Sequence, residues 1–296
     1  MNSRAYLLLA ITTLCWGGNA VAGKLAVGHI SPMVLTFLRW LLAVAVIFAI
    51  SIPYIKRDWH LVRPRILYFL VLGAIGFTIF NAMLYSALKY TSAINTVVIQ
   101  AGIPMFIFGL NYILFRTRVS YGQIIGFVLT IISVGLLASQ GELQRLLHLT
   151  LNFGDGLMII AVIAYSIYTI ILRWKPQVNW RTLMAFSSLG ALLASLPGLY
   201  WEVQSGTAIW PDTFGWATVL YTVIFASLTA QVLYVMGVDM IGPNRAGLFI
   251  NLIPVFGTLL SVAILGETLH AYQLAALVLA FCGIAVAERK KPPVSS

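Results

Sequence analysis

Ten long apolar segments run through this chain, and those of the first half echo those of the second at an offset of about 150 residues. They lie at approximately 4–27, 31–52, 66–88, 93–115 and 120–138, then 153–173, 180–200, 213–237, 245–265 and 270–288. Each can cross about 30 Å of hydrocarbon as a helix. Because each half holds an odd number of crossings, two related halves in one membrane must be inverted relative to one another. The expected architecture is therefore all-α and integral to the membrane, with ten transmembrane helices forming two inverted five-helix repeats around a central cavity.

Composition supports a membrane solvent, since 60% of residues are hydrophobic and 9% are charged, against roughly 25% charged in soluble domains. The stretches between segments, Lys56 to Arg65 and Ser139 to Asn152 among them, are too short to build a separate core. The repeats are placed at 1–140 and 151–289, followed by a short basic tail at 290–296.

The net charge of +10 does not point to nucleic acid, because the basic residues are dealt out between segments rather than gathered on one face. Fourteen of the eighteen Lys and Arg residues, from Arg4 through Arg57, Arg116, Arg173 and Arg245 to Lys291, fall on one side when the N-terminus is cytoplasmic. Lys24, Lys89 and Arg145 fall on the other, and Arg39 lies within the second segment. Under the positive-inside rule both termini are expected in the cytoplasm of a bacterial inner membrane. Arg4 before an apolar run, with Ala20-Val21-Ala22 after it, also has the form of a secretory signal. Removing that segment would leave nine and break the match of Lys24 with Arg173, so it is read as retained.

Cys15 and Cys282 are expected as small buried apolar residues. The four histidines show no metal-ligand spacing, and the chain has neither a phosphate loop nor a nucleophile elbow, so an enzyme is not expected and no cofactor is called for.

The expected site lies where the halves break in the same way. Pro104 and Pro254 stand 150 apart, in the fourth segment of each repeat. A mid-helix proline removes one backbone hydrogen bond and kinks the helix, and paired breaks mark the midplane site of inverted-repeat carriers. Polar stripes flank them: Trp16 and Asn19; Thr78, Asn81 and Tyr85; Gln100; Tyr165, Tyr168 and Thr169; Ser227, Gln231 and Tyr234; Asn244 and Asn251. Such stripes serve either to line a cavity or to glue helices, at about 1 kcal/mol or less per contact. The residues expected to touch substrate are Trp16, Asn19, Asn81, Tyr85, Gln100, Tyr165, Tyr168, Gln231, Tyr234 and Asn251.

Arg39 carries the largest burial cost, and it is expected either to bind a substrate carboxylate or to hold helix ends. Asp239 and Glu267, at the ends of the eighth and ninth segments, are ordinary solvated carboxylates or coupling groups. Gly122 with Gly126, and Ala276 with Ala280, form small-xxx-small pairs in the fifth and tenth segments, which fits a scaffold or a surface for a second copy.

The stretches Cys15-Trp16-Gly17-Gly18-Asn19, Phe37-Leu38-Arg39-Trp40, Tyr85-Ser86-Ala87-Leu88-Lys89-Tyr90 and Asn251-Leu252-Ile253-Pro254, with Leu265-Gly266-Glu267, resemble the drug/metabolite transporter superfamily. Nearly the whole chain resembles its ten-helix exporters with two EamA-type repeats, most closely the YddG-type aromatic amino-acid exporters. The resemblance implies alternating access, peripheral fifth and tenth helices, and export of metabolites or amphipathic compounds. Tyr165-Ser166 stands where the first repeat has Trp16-Gly17, so the two halves are expected to contact a solute asymmetrically. Three classes follow: a carrier of amino acids and related metabolites, a multidrug or organic-cation exporter, and a membrane enzyme or receptor.

Overall fold

The computed structural model describes residues 3–90, 99–100, 102–116, 120–139, 141–142, 144, 153–253, 255–257, 259–260 and 270–289. Among them there is no strand, and the described residues of each of the ten expected segments are mainly helical. Pro254, Glu267, Asn95 and the tail at 290–296 lie outside the described residues.

The first half begins with α1 (Ser3–Leu25), α2 (Pro32–Val62), α3 (Ile66–Gly73) and α4 (Phe80–Ala87), followed by α5 (Ile103–Phe115) and α6 (Tyr121–Ala138). The second contains α7 (Phe153–Ile171), α8 (Trp180–Gln204), α9 (Thr213–Tyr221), α10 (Ala230–Ile241), α11 (Pro243–Phe249) and α12 (Ala271–Arg289). Among the described residues, five continuous helical stretches are long and apolar enough to cross a membrane: Ser3–Leu25, Pro32–Ala87, Phe153–Trp174, Trp180–Gln204 and Thr213–Ile241. The second of these is 56 residues long. At 1.5 Å per residue it is far longer than one crossing, and it holds two of the expected segments.

A loop was expected at Lys56 to Arg65, but the chain there stays helical. The cause is polar anchoring. Asp58, 5% exposed, accepts hydrogen bonds from the Asn179 N–H at 2.7 Å and the Thr182 hydroxyl at 2.8 Å, and pairs with Arg57 at 3.1 Å. These contacts hold the extension of α2 against the start of α8. At the opposite end of the pair, Glu202 accepts from the Ser31 hydroxyl at 2.6 Å and from the backbone N–H groups of Met33 and Val34. The matched second helices of the two halves therefore run antiparallel, as inverted repeats require.

Other contacts between the halves are reciprocal. α1 packs on α10, and α7 packs on α4. Among the described residues each half also contains one π-helical segment, Ala74–Ile79 between α3 and α4 and Thr222–Thr229 between α9 and α10. α2 lies against the second of these and α8 against the first. Close approach needs glycine at this crossing: a Cβ on Gly73 would sit 1.7 Å from the Ser187 carbonyl oxygen, and one on Gly190 2.1 Å from that of Leu70.

The helices of the fifth and tenth segments, α6 and α12, pair with each other. Gly126 leaves room for the Gly283 carbonyl, Ala276 and Ala280 are fully buried, and the Ser133 hydroxyl donates to the Ala276 carbonyl at 2.5 Å. The small faces are thus used within the chain, while Ile125, Val128, Val278 and Phe281 point outward, where lipid would lie. Cys15 is buried as expected, but Cys282 is exposed on this outer face beside Phe281. Helical spacing turns it away from the buried Ala276 and Ala280 stripe.

Candidate functional site

The helices of the two halves enclose a cavity lined by Trp16 and Asn19 of α1, Arg39 of α2, Phe80, Asn81 and Leu84 of α4, Gln100, and Ile103 of α5. The second half contributes Tyr165 of α7, Gln231 of α10, and Ile250 and Ile253. The lining thus combines amide and guanidinium groups with aromatic and aliphatic side chains.

Arg39 is the hub of the polar groups. It is 1% exposed. Its Nε donates to the Ser227 hydroxyl, while Nη1 donates to Asn81 Oδ1 and to the Tyr85 hydroxyl, each at 2.8 Å. Asn19 Oδ1 lies 3.5 Å from the same nitrogen and accepts from the Tyr85 hydroxyl at 3.0 Å. Among the described residues, the oxygens that accept hydrogen bonds from Arg39 all belong to neutral groups. A charged hydrogen bond is worth about 1.5–3 kcal/mol, so three such contacts offset a burial penalty of several kcal/mol without cancelling the charge.

Both π segments serve this hub. Ser227 belongs to the second, whose Ala226 carbonyl also accepts from the Trp16 indole N–H at 3.2 Å. In the first, the Phe77 carbonyl accepts from Asn81 Nδ2 at 2.6 Å, which turns Asn81 Oδ1 toward Arg39. A π-helical turn shifts backbone carbonyls out of the α ladder, and such turns are frequent at functional sites.

The aromatic residues form a cluster around Tyr165. Trp16 meets it edge-on at 5.6 Å, with Phe80 at 5.1 Å, Tyr168 at 5.3 Å and Tyr234 at 5.7 Å. Ring separations of this size are favourable beyond area burial alone.

Of the ten residues expected to touch substrate, Trp16, Asn19, Asn81, Gln100, Tyr165 and Gln231 line the cavity. Tyr85 stands behind it, bridging Arg39 and Asn19. Tyr168 and Tyr234 back the aromatic wall, with the Tyr234 hydroxyl 3.3 Å from that of Thr169. Asn251 is buried between the lining residues Ile250 and Ile253. Phe80, Leu84, Ile103, Ile250 and Ile253 went unread in the sequence, because aliphatic lining looks like ordinary lipid-facing or core surface.

Pro104 falls in the first turn of α5 rather than in mid-helix. Its missing N–H is one that a helix start leaves unbonded anyway. The interruption instead sits just ahead of it, where the Gly102 N–H bonds the Ile99 carbonyl in a tight turn. Asp239 stands away from the cavity lining, paired with Lys175 at 3.0 Å. Near the same end of the bundle, Arg173 Nη1 donates to Asn111 Oδ1 at 2.8 Å, and Asn111 in turn donates to Asn244. That network ties the fourth, sixth and ninth segments together.

A helical bundle of two inverted halves around a mixed polar and aromatic cavity defines a multi-pass membrane transporter. The EamA-like transporter family matches residues 3–139 and 152–288, and the chain belongs to that family. Among its relatives are an uncharacterised transporter, YetK, of Bacillus subtilis, 27% identical over 97% of this chain and 87% of the relative. A probable amino-acid metabolite efflux pump of Salmonella typhimurium is 27% identical over 96% and 94% of the two chains. The biotin transporter of Escherichia coli is 22% identical over 89% and 86%. One solved structure shares the fold, with a TM-score of 0.77 over 97% of both chains at 19% identity.

Proposed function

We propose that this transporter carries amino acids, aromatic and other neutral ones, together with related metabolites, across the inner membrane of a bacterium. It exports them from the cytoplasm by alternating access. The observation that carries this reading is the mixed lining of the cavity: Arg39, Asn19, Asn81, Gln100 and Gln231 offer hydrogen bonds, while Phe80, Trp16, Tyr165 and Leu84 offer aromatic and aliphatic surface. A small zwitterion with a ring or aliphatic side chain matches both.

Two relatives have named solutes, one being a probable amino-acid metabolite efflux pump and the other a biotin transporter, and a carboxyl group is common to amino acids and biotin. Rocking of one half against the other would expose the cavity to each side in turn. The distribution of Lys and Arg favours cytoplasmic termini, which puts the Arg173, Asn111 and Asn244 network on the cytoplasmic side.

A second reading, export of apolar organic cations, draws on the Trp16, Tyr165 and Tyr234 cluster, because cations bind aromatic faces. The Arg39 guanidinium in the same lining repels them. Uptake of labelled amino acids into liposomes containing the purified protein, each competed with organic cations, separates the two. Saturable amino-acid flux supports the first reading; flux of cations alone supports the second.

A further inference from the structure

We infer that Arg39 is the docking point for a substrate carboxylate, and that Gln231 and Tyr165 receive the amino group of the same molecule. This deepens the amino-acid reading above and rests on it for the transport step, but it concerns recognition, which is measured separately.

Three observations converge. Arg39 is a fully buried cation on the cavity lining whose described partners are all neutral, so a positive charge is maintained there rather than neutralised. Ser227, Asn81 and Tyr85 engage Nε and Nη1; among the described residues nothing bonds Nη2. The guanidinium thus keeps donor capacity while its plane is fixed, which suits it to grip a carboxylate.

The third observation lies in the same lining. Gln231 Oε1 and the Tyr165 hydroxyl are buried polar atoms with no hydrogen-bond partner among the described residues, and both side chains are only 3% exposed. A buried acceptor without a donor is unfavourable. An ammonium or amine N–H entering the cavity would satisfy Gln231 Oε1, and Tyr165 has both an acceptor and a donor to offer. Arg39, with donors for a carboxylate, and Gln231, with an orphaned acceptor, belong to one lining and form a pair that can read the two charged groups on the α-carbon of one amino acid. Phe80, Leu84, Ile103 and Ile250 are left for its side chain.

The alternative role for Arg39, gluing α1, α2 and α4 together, accounts for Asn19, Asn81 and Tyr85. It does not account for the orphaned atoms of Gln231 and Tyr165 in the same lining, or for a charge kept without a counter-ion among the described residues.

The test is a ligand series on the intact wild-type protein in detergent, read by thermal shift and by competition against labelled phenylalanine. Phenylalanine is compared with its methyl ester, which keeps the ammonium and lacks the carboxylate, and with 3-phenylpropionate, which keeps the carboxylate and lacks the ammonium. The expected result is that each loss weakens binding by about 10-fold or more, the size of one charge-assisted hydrogen bond. Arg39→Lys should keep part of the preference for acid over ester, and Arg39→Gln should lose it. Should Arg39→Gln fail to fold, the wild-type ligand series decides alone.

Equal binding of ester and acid to the wild type, or no saturable binding of either carboxylate, overturns the assignment of Arg39. Equal binding of phenylalanine and 3-phenylpropionate overturns the assignment of Gln231 and Tyr165. The amino-acid carrier reading fails differently: the acid-over-ester preference with no flux of phenylalanine into liposomes would leave Arg39 assigned and remove the carrier role.

Discussion

Asp58 and Glu202 each cap the start of the other's helix. Asp58, near the end of α2, accepts from Asn179 and Thr182 at the start of α8, and Glu202, at the end of α8, accepts from Ser31, Met33 and Val34 at the start of α2. Helix N-termini carry unbonded N–H groups and a positive dipole end, so a carboxylate at each terminus answers both. The inverted arrangement makes the exchange possible, because only antiparallel helices bring the end of one to the start of the other.

Asp58→Asn and Glu202→Gln are each expected to destabilise the protein by about 1–2 kcal/mol, the scale of a lost cap or charged hydrogen bond. α8 spans 25 residues, so its two ends lie about 37 Å apart at 1.5 Å per residue. Sites this far apart should act additively. Unfolding midpoints of the single and double variants in detergent check this, and a strongly non-additive double variant would contradict independent caps.

The pH dependence of the Asp58 cap has a definite sign. Burial acts to raise its carboxyl, but the Asn179 N–H, the Thr182 hydroxyl and Arg57 outweigh it and hold Asp58 below its ordinary value of 3.8. A depressed carboxylate contributes its full stability above its unfolded value and loses it as pH falls through the folded one. The stability gap between wild type and Asp58→Asn should therefore stay constant from about pH 5 to 8 and narrow below about pH 4. Thermal unfolding across that range measures it; a gap that closes near neutrality would contradict the account.

Gly73→Ala should be among the most damaging single methyl additions. The new Cβ would lie 1.7 Å from the backbone oxygen of Ser187, and backbone cannot step aside as a side chain can. Overpacking of this kind costs about 1–3 kcal/mol or more. Gly109→Ala, where a Cβ meets nothing within 4 Å, is the control. Comparable yields of folded protein for the two variants would contradict the crossing described at Gly73.

Tyr85→Phe removes a hydroxyl that takes a hydrogen bond from Arg39 and gives one to Asn19. Because Tyr85 stands behind the lining, the expected effect is a rise in KM of about 10-fold with a folded protein, as the guanidinium loses one of its fixed positions. Transport kinetics and melting temperature measured together check this; unchanged kinetics would reduce Tyr85 to packing.

Period and placement in the sequence were enough to expect the helices, the two halves and most of the polar lining, because a polar residue in a membrane segment must face something other than lipid. The same logic failed for the aliphatic wall, since Leu84 and Ile253 look no different from residues facing lipid. The role of Pro104 was misplaced because a proline inside an apolar run cannot by itself say whether the run is one helix or a turn followed by a new one. Cys282 was read by hydrophobicity, which does not distinguish a lipid-facing position from a buried one. The caps by Asp58 and Glu202 join residues 121 to 171 positions apart in sequence, and nothing local announces such partners. The π segments also escaped notice, because their sequences, Ala74–Ile79 and Thr222–Thr229, are apolar runs like their neighbours.

The measurement that bears most directly on the central claim is counterflow of labelled phenylalanine into liposomes, comparing wild type with Ile103→Trp, which places a large ring in the cavity lining. The account predicts saturable flux for wild type and nearly none for a variant that elutes and melts as a folded protein. Equal flux in both would mean that the solute does not pass through this cavity.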